Sequence, residues 1–230
     1  MTRALVVAAH PDDETLGCGG TVAKHTARGD EVFVLFLAEG ISARFRAEDI
    51  ATPEVTKLSE RRNRNAVRAL AILGVPEAAI TLSKKPCCRL DQIPQIEIVK
   101  EIERALNKIV PAIVYTHAAH DVNVDHRIAH QSVLAACRPS AEQPPQYIFA
   151  FEVLSSTEWN PVYPFAGTAF QDITNHIDAK VAALAAYEDE MNEIPHPRSE
   201  AAVRALATFR GVQSGVQFAE AFQLIRSLNW

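Results

Sequence analysis

Ala9-His10-Pro11-Asp12-Asp13-Glu14 is the stretch on which the reading of this chain turns. It follows directly on a short apolar run, Ala4 to Ala9, whose β-branched middle and polar flanks suit a buried parallel strand. Pro11 fixes its own φ and biases His10 towards an extended conformation, so the imidazole is presented at the strand's end. Three carboxylates share the next turn. They repel one another at close range unless a cation is present, although acidic residues are also favoured in the first turn of a helix. Gly17, Gly19 and Gly20 then permit close backbone approach, and a helix is expected from about Gly17 to Arg28. Ligands of open α/β sheets sit outside the carboxyl ends of strands, where this turn lies. His10 and Asp13 form a sensible pair of zinc ligands that leaves room for more.

Outward from that turn, Glu31 to Leu37 reads as a second strand, and residues 41–57 as a polar, mobile loop carrying Arg44 and Arg46. Ser59 to Leu73 is predicted as a helix stopped by Gly74; Arg62 in its first turn is placed to reach an anionic or polar substrate group. A short strand at Ala79–Leu82, a basic loop with Cys87 and Cys88, and an amphipathic helix from Ile93 to Lys108 follow. A fourth buried strand, Ala112 to Tyr115, ends in a second His/Asp cluster, Thr116-His117-Ala118-Ala119-His120-Asp121-Val122-Asn123-Val124-Asp125-His126. His126, where a helix begins, is read as the third metal ligand, with Asp125 behind it holding or charge-balancing a neighbouring imidazole. Beyond it the pattern predicts a strand over Tyr147–Val153, helices over Asp172–Glu190 and Glu200–Arg210, and a short strand or turn at Phe218–Phe222. Pro195 and Pro197 bracket His196 in an extended loop, a rigid way to present a side chain.

The 230 residues are 48% hydrophobic and 22% charged, the composition of an ordinary globular chain, and are read as a single domain spanning 1–230. The net charge of −5 argues against nucleic acid as the main partner. No apolar stretch reaches the roughly 18 residues that a membrane helix needs. Met1-Thr2-Arg3 leads straight into a strand without an evident secretory signal. Cys18, Cys87, Cys88 and Cys137 make neither a CxxC zinc site nor a spaced disulfide framework, so free thiols in a cytoplasmic protein are expected. Gly17-Cys18-Gly19-Gly20 after a strand also raises a non-catalytic nucleotide-binding module, but the acidic turn before it is hostile to a pyrophosphate.

The Ala-His-Pro-Asp-Asp-Glu turn resembles the AHPDDE signature of the PIG-L/LmbE-like zinc-dependent N-deacetylases, and Asn123-Val124-Asp125-His126 is similar to their second motif. The resemblance implies a Rossmann-like α/β fold, a mostly parallel sheet flanked by helices on both faces. It also implies hydrolysis of an N-acetyl group on an amino sugar or sugar conjugate. It assigns one Zn2+ to His10, Asp13 and His126, and the general base to Asp12. One departure stands out: many members carry His-Pro-Asp-His where this chain has Asn123-Val124-Asp125-His126. Asn123 can donate a hydrogen bond to an oxyanion but cannot protonate a leaving amine. His196 is the first candidate for that acid, followed by His120 and His117; alternatively Asp12 returns the proton. The tail resembles a subgroup in which Arg198 and Glu220 are possible substrate contacts. Arg44, Arg46, Arg62 and Arg198 hint at a nucleotide-linked or acidic sugar. An amidase cleaving a thiol-sugar conjugate on the same metal is the nearest alternative. The expected partner is a small N-acetylated sugar, with homo-oligomerisation left open.

Overall fold

The computed structural model describes residues 1–228. β1 (Arg3–Ala8), β2 (Glu31–Phe36), β3 (Ile80–Leu82), β4 (Ile113–His117) and β5 (Tyr147–Phe151) run parallel to one another. β6 (Ala169–Asp172) and β7 (Ala219–Ser227) complete the sheet, β7 lying antiparallel between β5 and β6, in the order β3-β2-β1-β4-β5-β7-β6. The expected mostly parallel sheet is therefore present. Its strand order runs one way from β1 to β3 and the other way from β1 to β5. The turns after β1 and β4 thus lie at the switch point, where a crevice opens at the strands' carboxyl ends.

Apolar side chains cover both faces, as a doubly wound sheet requires. α1 (Asp13–Ala27), α2 (Pro53–Ile72) and α5 (Ile177–Ala185) bury Val22, Ala66, Leu70 and Leu184 with Val6, Val34 and Phe36 on one side. α3 (Gln95–Ile109) and α4 (Val124–Ala136) bury Ile98, Ile102, Val133 and Ala136 with Leu5, Val7 and Leu35 on the other. α6 (Glu200–Ser214) packs beside β7.

Several boundaries differ from the expected ones. α2 starts at Pro53, six residues before Ser59, because Thr52 caps it and proline suits a helix's first turn; the loop after β2 is correspondingly shorter. Residues 169–172 form a strand that the pattern did not predict, since pairing with β7 outweighs their weak local preference, and α5 is only the middle of the helix expected over Asp172–Glu190. α6 continues through Gly211, where a Cβ would come within 2.5 Å of the Gln217 carbonyl oxygen, and ends at Gly215 with φ 77°.

α1 begins at Asp13, not Gly17, and is kinked at Cys18 (φ −145°). The kink frees the amides of the second half, and Glu220 of β7 accepts from Gly20 N at 2.9 Å and Thr21 N at 2.7 Å. The carboxylate is in turn paired with Lys180 Nζ at 2.7 Å. Glu220, a suggested substrate contact, is thus a buried helix cap. A Cβ on Gly17 would meet the Phe151 ring at 2.2 Å, and one on Gly20 the Ile173 side chain at 2.8 Å. These glycines serve close packing, which removes the open phosphate cradle that a nucleotide-binding reading needs.

Candidate metal centre

β1 delivers His10, and the chain then turns through Asp12, whose φ of 118° is rare for a non-glycine residue. That turn aims two carboxylates in different directions. Asp13 Oδ2 accepts from His10 N at 2.9 Å and lies 3.2 Å from His10 Nδ1. Glu14 accepts from Asp12 N at 2.9 Å and from the Thr15 and Tyr187 hydroxyls, each at 2.6 Å. Burial pushes Glu14 up to about 7, against those hydrogen bonds.

β4 and α4 supply the other half. Asn123 Oδ1 accepts from Asp125 N at 2.9 Å and so caps α4, placing His126 in its buried first turn. The outer nitrogen of His126, Nδ1, is 3.0 Å from Asp121 Oδ2. Asp121 is itself fixed by Ser156 Oγ at 2.9 Å, Thr157 Oγ1 at 2.6 Å and Asn123 N at 2.8 Å. The inner nitrogen, Nε2, faces Asp13 Oδ2 at 3.2 Å but has no hydrogen-bond partner. Asp125 holds His10 through Nε2 at 2.9 Å and accepts from Cys88 N and Leu90 N. One donor atom each from His10, Asp13 and His126 lies within 4.8 Å of the others.

This set fits a divalent cation. An unpartnered buried imidazole nitrogen, a second imidazole and a carboxylate converge, and each imidazole is oriented by a carboxylate on its far side. The electrostatics agree. Burial alone would lower the pKa of His10 and His126, yet the hydrogen bonds that His10 donates to Asp125 and Asp13 push it up to about 10. The charge of Asp13 and the Asp121 hydrogen bond push His126 up to about 9. Asp13 is held well below the usual carboxylate range, against burial, by His126, His10 and His117. Carboxylates that hold protons on two imidazoles this firmly offer the same charge to a metal ion.

Asp12 stands apart from that cluster. Its Oδ2 lies between Arg198 at 2.6 Å and Arg62 at 2.8 Å, while Oδ1 is buried without a partner. Burial, with Asp13 and Glu190 nearby, raises its carboxyl, and the two guanidinium groups only partly pull it back. Glu190 ties the arginines together, 2.5 Å from each, and also pairs with Arg44.

The other sequence candidates are distributed as follows. Arg62, expected at the substrate, is 5% exposed and also donates to the Pro11 carbonyl at 2.8 Å, so it holds the signature turn. Arg198 is half-buried, bound to Asp12, Glu190 and Ser155 Oγ. His196 is exposed, and its Nδ1 accepts from Arg198 N at 3.1 Å within its own loop. His117 is fully buried; its Nε2 accepts from Ala9 N at 2.8 Å and its ring stacks on His126 at 3.9 Å. His120 is exposed, stacks on Tyr163 at 4.5 Å and lines a recess of about 450 Å³ with Asp121, Arg127 and Trp159. Sequence reasoning gave no role to Asp121, Glu14, Tyr187 or Glu190. Glu14 carried a local signal as the last residue of the signature turn, and Asp121 as a member of a His/Asp-rich turn, two residues before the Asn123 cap.

The model of the PIG-L, GlcNAc-PI de-N-acetylase family matches residues 5–137. A 1D-myo-inositol 2-acetamido-2-deoxy-alpha-D-glucopyranoside deacetylase of Mycolicibacterium vanbaalenii is 26% identical over 86% of this chain and 84% of its own. The diacetylchitobiose deacetylase of Thermococcus kodakarensis is 27% identical over 98% and 84%. The crystal structure of GalB, the 4-carboxy-2-hydroxymuconate hydratase of Pseudomonas putida KT2440, superposes with a TM-score of 0.74 over 100% of this chain and 98% of that one, at 21% identity. A hydratase on the same fold means that the fold alone does not name the reaction; the signature turn and its converging ligands carry that weight. On the match across its front half and the site built there, the chain belongs to the PIG-L, GlcNAc-PI de-N-acetylase family and to the N-deacetylase class of enzyme.

Proposed function

We propose that the protein is a zinc-dependent hydrolase that removes an acetyl group from the nitrogen of an amino sugar or its conjugate, releasing acetate. The observation that carries this reading is the free Oδ1 of Asp12, a buried carboxylate oxygen beside a three-residue metal set whose members it does not join. A zinc ion on His10, Asp13 and His126 would supply Lewis-acid activation of water and of the acyl carbonyl. Asp12 accepts the attacking water's proton at Oδ1, while Arg62 and Arg198 fix Oδ2 and hence the carboxyl's orientation. Its raised pKa makes it a better proton acceptor than an ordinary aspartate. Asn123 Oδ1 is spent on the helix cap, so Nδ2 is the atom it has for a developing oxyanion.

Asp12 then returns its proton to the leaving amine. His196 is the poorer candidate for that step because its Nδ1 is engaged within its loop, and His117 because it is buried and accepting from Ala9. The recess at His120, Trp159 and Tyr163 supports a sugar substrate, since exposed aromatic faces suit the apolar face of a pyranose ring. Four free cysteines suit a reducing cytoplasm, where we place the protein; among the described residues, no helix is long and apolar enough to cross a membrane.

The test is a panel of N-acetylated sugars, free, nucleotide-linked and lipid-linked, together with a thiol-sugar amide, assayed with the zinc-loaded protein for acetate and for free amine. Acetate from at least one sugar is expected. Amine release from the thiol-sugar amide alone, or no hydrolysis at all, would overturn the reading.

A further inference from the structure

A second group of donor atoms lies against the first, and the reaction above makes no use of its sulfurs. His10, Cys87, Cys88 and Asp125 bring a ring nitrogen, two thiols and a carboxylate oxygen within 4.8 Å of one another. The loop between β3 and α3 is fastened there by its main chain. Cys88 N donates to Asp125 Oδ2 at 2.6 Å and Leu90 N to Oδ1 at 3.0 Å. Cys87 N donates to Glu39 Oε1 and Ser42 Oγ, both at 2.9 Å. Cys88 sits at φ 55°, and the two sulfurs are 3.8 Å apart. Cys87 is buried and Cys88 exposed, so the group has one wet side through which an ion can arrive.

We propose that Cys87, Cys88 and His10 Nε2, closed by Asp125, form a second, thiophilic metal site that shares His10 with the first. Two thiolates, an imidazole and a carboxylate suit zinc, cadmium or copper(I) rather than magnesium or calcium. The His10 ring reaches both sets, with Nδ1 3.2 Å from Asp13 and Nε2 2.9 Å from Asp125. Asp125 is the weakest donor because both its oxygens already accept main-chain N–H groups. An ion bound by both sulfurs and His10 Nε2 releases two thiol protons and the Nε2 proton now given to Asp125, and so replaces the hydrogen bond that orients His10. Filling the second site therefore loosens the first, and an excess of a soft metal inhibits the enzyme through these cysteines. The site stands on this geometry, whatever acyl group the enzyme removes.

The full-length, metal-free, reduced protein is titrated with cadmium(II). Bound metal is measured after gel filtration, and sulfur-to-metal charge transfer by ultraviolet absorption. Wild type is expected to bind about two ions with a charge-transfer band, and Cys88→Ala about one ion without the band. Cys87→Ser should behave likewise; if that buried change prevents folding, the exposed Cys88 variant carries the test. One ion and no band in the wild type, or a band that persists in Cys88→Ala, overturns the proposal while leaving the hydrolytic reading standing. No bound ion at all sinks both.

Discussion

Replacing Asp121 by asparagine changes one atom of a carboxylate surrounded by donors. Oδ2 faces His126 Nδ1 and accepts from the Ser156 and Thr157 hydroxyls, and Oδ1 accepts from Asn123 N. An amide cannot meet all of them. With its NH2 turned to His126, the ring must accept at Nδ1 and carry its proton on Nε2, the atom the metal needs. With its NH2 turned to Asn123, two N–H groups confront each other, and a buried donor is left unsatisfied at about 1–3 kcal/mol. Loss of such an outer partner lowers metal affinity about 10–100-fold, or ~1.4–2.7 kcal/mol. Competition against a chromophoric chelator measures the affinity directly, with near-ultraviolet circular dichroism at saturating zinc as the check on folding. Asp125→Asn should weaken binding similarly, since His10, Cys88 and Leu90 all point donors at that carboxylate. Wild-type zinc affinity in a folded Asp121→Asn protein would refute the claim that this carboxylate sets the tautomer of His126.

Asp12→Asn should keep its metal and lose about 10²–10⁴ in turnover, measured by acetate release alongside metal content; undiminished turnover would remove Asp12 from the proton's path. Arg198→Gln removes a positive charge that holds down an Asp12 carboxyl already raised by burial. The base acts only when deprotonated, so the acid limb of the kcat/KM profile should move to higher pH, and a limb that stays put would uncouple the two residues. Gly17→Ala drives a methyl group into the Phe151 ring, 2.2 Å from its Cδ2. A loss of about 1–3 kcal/mol, read from denaturant midpoints, is expected, and an unchanged midpoint would count against tight packing there.

How much of this was legible beforehand follows from the range of the interactions concerned. β1, β4 and the His/Asp turns after them were readable because an apolar run and the polar residues closing it are local. Asp125 and His126 stand together in sequence and act together in space. Edge strand β6 was not readable, since Ala169–Asp172 owes its form to β7, some fifty residues on in the chain. Sequence singled out Arg62 in Glu60-Arg61-Arg62-Asn63-Arg64 but aimed it at the substrate, because nothing local shows that its partners are Asp12, Glu190 and the Pro11 carbonyl. Packing buries Arg62 against Asp12 and Tyr187, while Arg61 and Arg64 stay exposed. Asp121 went without a role for a similar reason: its partners Ser156 and Thr157 arrive from beyond β5.

The cap that Glu220 places on the broken first helix has a bearing on synthesis. Arg62, His117 and Asp125 grip the signature turn from the front half, but Tyr187 and Arg198, and the Glu220 that caps the helix behind it, lie beyond residue 137, where the family match ends. A nascent chain halted before β7 would carry His10, Asp13 and His126 and still lack the carboxylate that binds the free amides of Gly20 and Thr21. The second half of that helix therefore stays uncapped until β7 is made, and a truncation that removes β7 should lower activity although no motif is touched.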